Sequence, residues 1–317
     1  MHIPDGFLDA KTVLVTGALS VAGVGLALRQ VRKELPPRQV PLLGLSAAFL
    51  FAAQMVNFPV AGGTSGHLLG GVLVAALLGP AAGVVVLTTV LIVQCFLFAD
   101  GGVTALGANV FNMALVATVG GWVIYRAVSR CLPGVRGQVA AVAFAGWGST
   151  VLASVACAGQ LAWSDTVEWS VGFTAMTGIH MLIGLGEGLI SAFAFLAIAR
   201  TRPELVYRPN QDPASSRIGG VIGFGLVVSV GLAVFVAPFA CPWPDGLERV
   251  AAKLGFEHKA GGGILPAPLT DYALPGCKSP AVATAIAGAA GALVVFGLAL
   301  LLSRALVRKG GAVVSDQ

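Results

Sequence analysis

Long apolar runs separated by short polar connections dominate this chain. They predict hydrophobic helices at about 12–29, 40–57, 66–79, 81–99, 105–126, 138–161, 171–199, 218–238 and 281–304. Most are long enough to cross a hydrocarbon core of about 30 Å. The third is short, and Gly79-Pro80 parts it from the fourth, so one kinked helix across 66–99 is the alternative. Residues 200–217 are polar and proline-rich and read as a linker. The stretch at about 239–280 carries Pro242, Pro244, Pro266, Pro268 and Gly261-Gly262-Gly263, and is expected to be a loop with only partial order.

Charge decides the helix count. Basic residues cluster at Arg29, Arg32, Lys33 and Arg38; at Arg126, Arg130 and Arg136; at Arg200, Arg202, Arg208 and Arg217; and at Arg304, Arg308 and Lys309. The other connections hold Asp100, or Asp165 with Glu168, or no charge. Cytoplasmic loops carry the excess of Lys and Arg. Nine helices put every basic cluster on one side and the amino terminus on the other. Merging 66–99 would break that agreement. The expected fold is therefore an all-α polytopic membrane protein. A seven-helix bundle spans 1–200 and a cytoplasmic linker spans 201–217. A two-helix module with an external loop spans 218–317. The amino terminus lies outside and the carboxyl terminus in the cytoplasm.

Composition agrees. Of 317 residues, 56% are hydrophobic and only 10% charged, where soluble proteins run near a quarter charged. The 43 glycines suit helices that pack closely in lipid. The net charge of +5 is spread over loops and does not indicate nucleic acid. No secretory signal is expected, because Pro4, Asp5 and Asp9 precede the first basic residue, Lys11. Cys95, Cys131 and Cys157 lie in or beside helices and read as packing residues. Cys241 and Cys277 share the external loop, where an oxidising compartment would allow a disulfide.

The unusual chemistry is at the chain start, Met1-His2-Ile3-Pro4-Asp5-Gly6. A free α-amine, the His2 amide nitrogen and the His2 imidazole can close around one metal ion as fused chelate rings. Such an all-nitrogen, planar set suits Ni(II) or Cu(II) and disfavours Mg(II) or Ca(II). A fourth position remains, and His67 in Gly62-Gly63-Thr64-Ser65-Gly66-His67 falls on the same side of the membrane. Asn109 and Asn112 lie three apart on the fifth helix and share a face, placed to hold the amino-terminal segment or orient a ligand imidazole. His180 and Glu187, seven apart on the seventh helix, form either a satisfied structural pair or a second metal or proton site. Gln54, Asn57 and Gln94 read as packing polar groups facing the bundle interior.

These motifs carry a resemblance. Met1-His2-Ile3-Pro4-Asp5-Gly6-Phe7, Gly62–Gly70, Gly107-Ala108-Asn109-Val110-Phe111-Asn112-Met113 and His180-Met181-Leu182-Ile183-Gly184 together resemble the substrate-binding subunit of cobalt/nickel energy-coupling-factor transporters. The likeness covers about residues 1–200. Pro244-Asp245-Gly246-Leu247-Glu248 resembles the signature of that family's small accessory subunit, so the chain looks like a fusion of the two. The resemblance implies Ni(II) or Co(II) as transported substrate, bound by the Met1 amine, the His2 amide and imidazole, and the His67 imidazole. Ser65, Asn109, His180 and Glu187 are supporting residues. It also implies a transmembrane coupling subunit and ATPase subunits as partners within the lipid bilayer, and an accessory module that promotes metal loading.

Two rival readings remain: a membrane metalloenzyme using His180 and Glu187, and a stand-alone metal channel. The chain contains no Gly-x-x-x-x-Gly-Lys-Ser/Thr loop, no His-Glu-x-x-His and no Gly-x-Ser-x-Gly. It is expected to be a transporter subunit without its own ATPase site, and not an enzyme.

Overall fold

The computed structural model describes residues 1–207 and 218–307. Arg208, Arg217, Arg308 and Lys309, and residues 208–217 of the linker, lie outside the described residues. The helices are α1 (Ala10–Glu34), α2 (Val40–Gln54), α3 (Gly71–Leu78) and α4 (Pro80–Phe98), then α5 (Leu106–Cys131), α6 (Gly134–Trp163), α7 (Trp169–Thr201) and α8 (Ile218–Phe239), and finally α9 (Gly246–Leu254) and α10 (Pro280–Val307). Seven of them, all except α2, α3 and α9, are long and apolar enough to cross a membrane. The protein is an all-α polytopic membrane protein. A single two-stranded hairpin, β1 (Phe58–Val60) antiparallel to β2 (Thr64–Gly66), is its sheet among the described residues.

The third crossing differs from expectation. A helix over 66–79 is predicted, but the chain is a strand to Gly66, is irregular over 67–70, and turns helical only at Gly71. A helix through 67–70 would consume the backbone groups of that segment in its own ladder. They are used elsewhere. Glu187 on α7 accepts the Leu69 and Gly70 N–H groups at 2.6 and 2.9 Å. The Leu69 carbonyl accepts from Gln54 at 3.1 Å. At its other end Gly79 lies beside Glu34 and Tyr207.

Buried positions dictate the layering. α4 is the most enclosed long helix, whereas α1 turns Leu14, Leu19, Val21 and Leu26 outward to lipid. α1 starts where Asp9 caps it by accepting from the Thr12 N–H at 2.9 Å. α10 packs on α2 so closely that a Cβ at Gly291 would stand 2.2 Å from the Phe51 ring. Residues of the last two long helices therefore share one core with residues of the first seven helices.

The 239–280 stretch is more structured than its composition suggests. Asp245 and Glu248 form a reciprocal capping box that starts α9. Ser65 N–H donates to the Pro244 carbonyl at 2.8 Å, and Gly261 N–H to the Asp5 carbonyl at 2.8 Å. Phe7 and Phe256 meet edge to face at 5.2 Å. These long-range contacts supply an order that local composition does not encode. Cys241 and Cys277 are both free thiols.

Candidate metal centre

The amino terminus folds back into the bundle, as a chelating chain start requires. Ile3 is fully buried. Its N–H donates to Asn109 Oδ1 at 2.8 Å, and its carbonyl accepts from Asn109 Nδ2 at 3.1 Å and from the Gly102 N–H at 2.9 Å. Asp5 accepts from the Thr104 backbone and hydroxyl. Gly6 then turns at φ +91°, a conformation glycine favours, with the Lys259 carbonyl pressed against the space a Cβ would fill.

This anchoring brings residues 66 apart into contact. The Met1 amine lies 3.2 Å from His67 Nε2. The His2 and His67 rings stack with centroids 5.4 Å apart and 23° between planes. The Met1 amine also forms an ion pair with Asp245. A cavity of about 10 Å³, room for about one water, opens between Met1, Ser65, His67, Thr150, His180 and Asp245. Two imidazoles and an amine thus converge, with the Asp245 and Asp100 carboxylates against them.

The comparisons with known proteins follow this geometry. Residues 2–205 match the model of a family described as the cobalt uptake substrate-specific transmembrane region. The chain belongs to that cobalt uptake family. Residues 219–308 match a second model, the PDGLE domain. The fused nickel transport protein NikMN of Rhodobacter capsulatus is 32% identical over 351 residues, spanning 98% of this chain and 100% of that one. An Archaeoglobus fulgidus protein, provisionally named a fused nickel transport protein NikMN, is 37% identical over 306 residues, 96% of this chain and 98% of its own. The crystal structure of a truncated transition metal transporter superposes with a TM-score of 0.58 at 33% identity, covering 63% of this chain and 99% of that chain.

In this cobalt uptake family member the supporting residues separate into distinct tasks. Ser65 donates to the Trp243 carbonyl at 2.7 Å and so ties the hairpin to the 239–280 stretch. Asn109 holds the chain start, whereas Asn112 exchanges two hydrogen bonds with Gln160 on α6 at 2.8 and 2.7 Å. His180 and Glu187 are not partners of each other. His180 Nδ1 lies 2.7 Å from the Met176 carbonyl, and its ring borders the cavity beside Gly246. Glu187 is occupied with the start of α3. Their shared face does not make a shared site. Among the described residues no cluster of three or more His, Cys, Asp or Glu side chains is arranged to hold a metal.

Electrostatics around the chain start is set by two carboxylates. Burial works against the charge on the Met1 amine, but Asp245 outweighs it and holds the amine above its ordinary pKa. Burial would raise the Asp245 carboxyl, yet the Met1 ammonium prevails and keeps it well below the usual carboxylate range. His2 is pulled below its ordinary value by burial, opposed by Asp100, whose Oδ1 is 3.0 Å from Nδ1. Tyr272 donates to the other Asp100 oxygen at 2.6 Å and stacks on Phe98 at 4.7 Å.

Sequence reasoning missed Asp245, Asp100 and Tyr272 as neighbours of the site. The Asp-Gly-Leu-Glu spacing does announce a helix cap. Nothing local announces that the cap also grips residue 1.

Proposed function

We propose that the chain is the substrate-capture subunit for ATP-driven uptake of Ni(II) or Co(II). The ion is held by the Met1 amine, the His2 amide and imidazole nitrogens, and the His67 imidazole. The observation that carries this reading is the approach of the Met1 amine to 3.2 Å from His67 Nε2, with the His2 ring stacked on the same imidazole. Softness and geometry then select the cargo. A planar four-nitrogen set favours late first-row ions and rejects those that keep octahedral oxygen shells. Relatives named for nickel and cobalt transport support the same cargo.

The site lies on the external side and the carboxyl terminus in the cytoplasm. This reading is supported by Glu34 and Tyr207 lying together at the end opposite Met1, the end where the basic clusters begin. Residues 1–200 act as the capture body, 201–217 as the linker and 218–317 as the accessory module. The energy comes from partners, a transmembrane coupling subunit and ATPase subunits. The metalloenzyme reading needs His180 and Glu187 in one site, whereas Glu187 accepts the Leu69 and Gly70 N–H groups and His180 borders the cavity without it.

Titration calorimetry of Ni(II) and Co(II) into the purified full chain tests the proposal. His2→Ala, His67→Ala and a variant extended by one residue before Met1 are each expected to lose tight binding while remaining folded. Tight binding by the extended variant would sink the chelate. Uptake that persists in cells lacking the ATPase partner would instead support a channel.

A further inference from the structure

Two glutamines read from sequence as packing groups form a chain of hydrogen bonds that ends on His2. The Leu69 carbonyl can only accept. The Gln54 atom facing it at 3.1 Å is therefore Nε2, the donor. That choice turns Gln54 Oε1 toward Gln94, where it accepts from Gln94 Nε2 at 2.9 Å. The remaining Gln94 atom, Oε1, lies 3.2 Å from His2 Nε2. An amide oxygen there is satisfied only when His2 Nε2 carries the proton. Side-chain amides normally leave such assignments open; here a backbone carbonyl anchors the series. Gln94 is wholly buried and Gln54 nearly so, which leaves water no role in satisfying them.

His67 is governed by the adjacent carbonyl. Its Nδ1 lies 3.2 Å from the Leu68 oxygen, which places the proton on Nδ1 and the lone pair on Nε2, the atom nearest the Met1 amine. Leu68 and Leu69, held in place through the Leu69 and Gly70 N–H groups by Glu187, thus set both imidazoles. For residue 2 the outcome matters chemically. Only Nδ1 can close a six-membered ring with the residue's own amide nitrogen on one metal ion. Asp100 Oδ1, 3.0 Å from Nδ1, competes for the ring proton in the metal-free protein, and Gln94 is the acceptor that favours Nε2.

We infer that Gln54 and Gln94 are positioning residues for the metal site: anchored at the Leu69 carbonyl, they draw the His2 proton toward Nε2, against Asp100 at Nδ1, and so favour Nδ1 as the nitrogen that takes the cargo. The inference rests on the nitrogen chelate proposed above. Partners that fix the tautomer of a ligating histidine are typically worth 10–100-fold in metal affinity.

The test compares Gln94→Met, which removes the acceptor facing Nε2, with the wild type. Ni(II) alone is titrated into each full-length protein, and the His2 ring is followed by nitrogen-15 NMR in the metal-free state. Gln94→Met is expected to weaken Ni(II) binding on the order of 10–100-fold and to populate a ring protonated on Nδ1. Gln54→Leu, which cuts the anchor and leaves Gln94 in place, is expected to move both readouts the same way and serves if Gln94→Met does not fold. Wild-type affinity in Gln94→Met, or a bare Nε2 in the wild type, would overturn the inference. His2→Ala separates the two levels. If it abolishes binding while Gln94→Met does not weaken it, the relay fails and the chelate stands; if it binds normally, the chelate itself fails.

Discussion

The Met1 amine and the Asp245 carboxylate, 244 residues apart, form a part-buried ion pair that joins the start of the chain to the first residue before α9. One carboxylate thus performs two tasks. Its Oδ1 accepts the Glu248 N–H at 2.9 Å and caps α9, while its Oδ2 holds the amine that is proposed to bind metal. The PDGLE-matching part of the chain is therefore built into the wall of the site.

Removing Asp245 leaves a buried ammonium without its partner. Breaking a buried pair in this way costs about 3–5 kcal/mol, with about 1 kcal/mol more from the lost cap. Asp245→Ala is expected to lower the thermal midpoint of the metal-free protein strongly. Saturating Ni(II) should recover part of the loss, because a ligated amine no longer carries the charge. Thermal unfolding in detergent with and without Ni(II) measures both. An unchanged metal-free midpoint would show that the pair does not hold the chain start.

The same pair sets a pH dependence. The Met1 amine has its pKa raised in the fold, and an unfolded amino terminus titrates near about 8. A raised pKa stabilises the metal-free fold fully below the unfolded value, and that contribution is lost as pH rises through the folded one. Metal competes with the same proton, so Ni(II) affinity is expected to rise across this alkaline range while metal-free stability falls. Asp245→Asn removes the raising influence and leaves burial, which lowers the amine. Its affinity profile should shift to lower pH. Affinity independent of pH in the wild type would exclude the amine as a ligand.

Ligation by an amine and an amide also has a proton count. The ammonium and the amide N–H must both be given up, so binding is expected to release at least about two protons per ion. A divalent ion then replaces two positive charges, and Asp100 and Asp245 face a similar total charge before and after loading. Calorimetry in buffers with different heats of ionisation reads the number directly. Release near zero would point to ligands that are already deprotonated and away from the chain start.

How much of this was legible in the sequence depends on which groups carry the signal. The nine apolar runs, the polar breaks and the basic clusters are local, and the observed helices follow them closely. Residues 66–70 were misread because their apolar character favours a helix. Their backbone is instead held by Glu187 and Gln54 across the bundle, partners that no window around Leu69 contains. His2, His67 and Asn109 were found because isolated polar residues in an apolar chain are conspicuous, and the structure brings them together. Gln94 was equally conspicuous, but its task depends on the orientation of a second amide 40 residues away. Asp245 and Tyr272 sit in a stretch whose prolines and glycines suggest disorder, and only the folded chain places them on Met1 and Asp100.

Asn109 offers a gentler perturbation than the ligands themselves. It binds both the N–H and the carbonyl of Ile3, one residue beyond the chelating amide, and is almost wholly buried. Asn109→Ala removes two hydrogen bonds of about 1 kcal/mol each and leaves the Ile3 N–H without a partner. The chain start then loses its registration against α5, while Met1, His2 and His67 keep their donor atoms. Ni(II) affinity is expected to fall on the order of 10–30-fold, the equivalent of about 1.4–2 kcal/mol, with the absorption band of the planar Ni(II) complex unchanged in position at saturation. A shifted band would mean that Asn109 touches the ion. Wild-type affinity would mean that the chain start is held sufficiently by Asp5, Asp245 and the burial of Ile3.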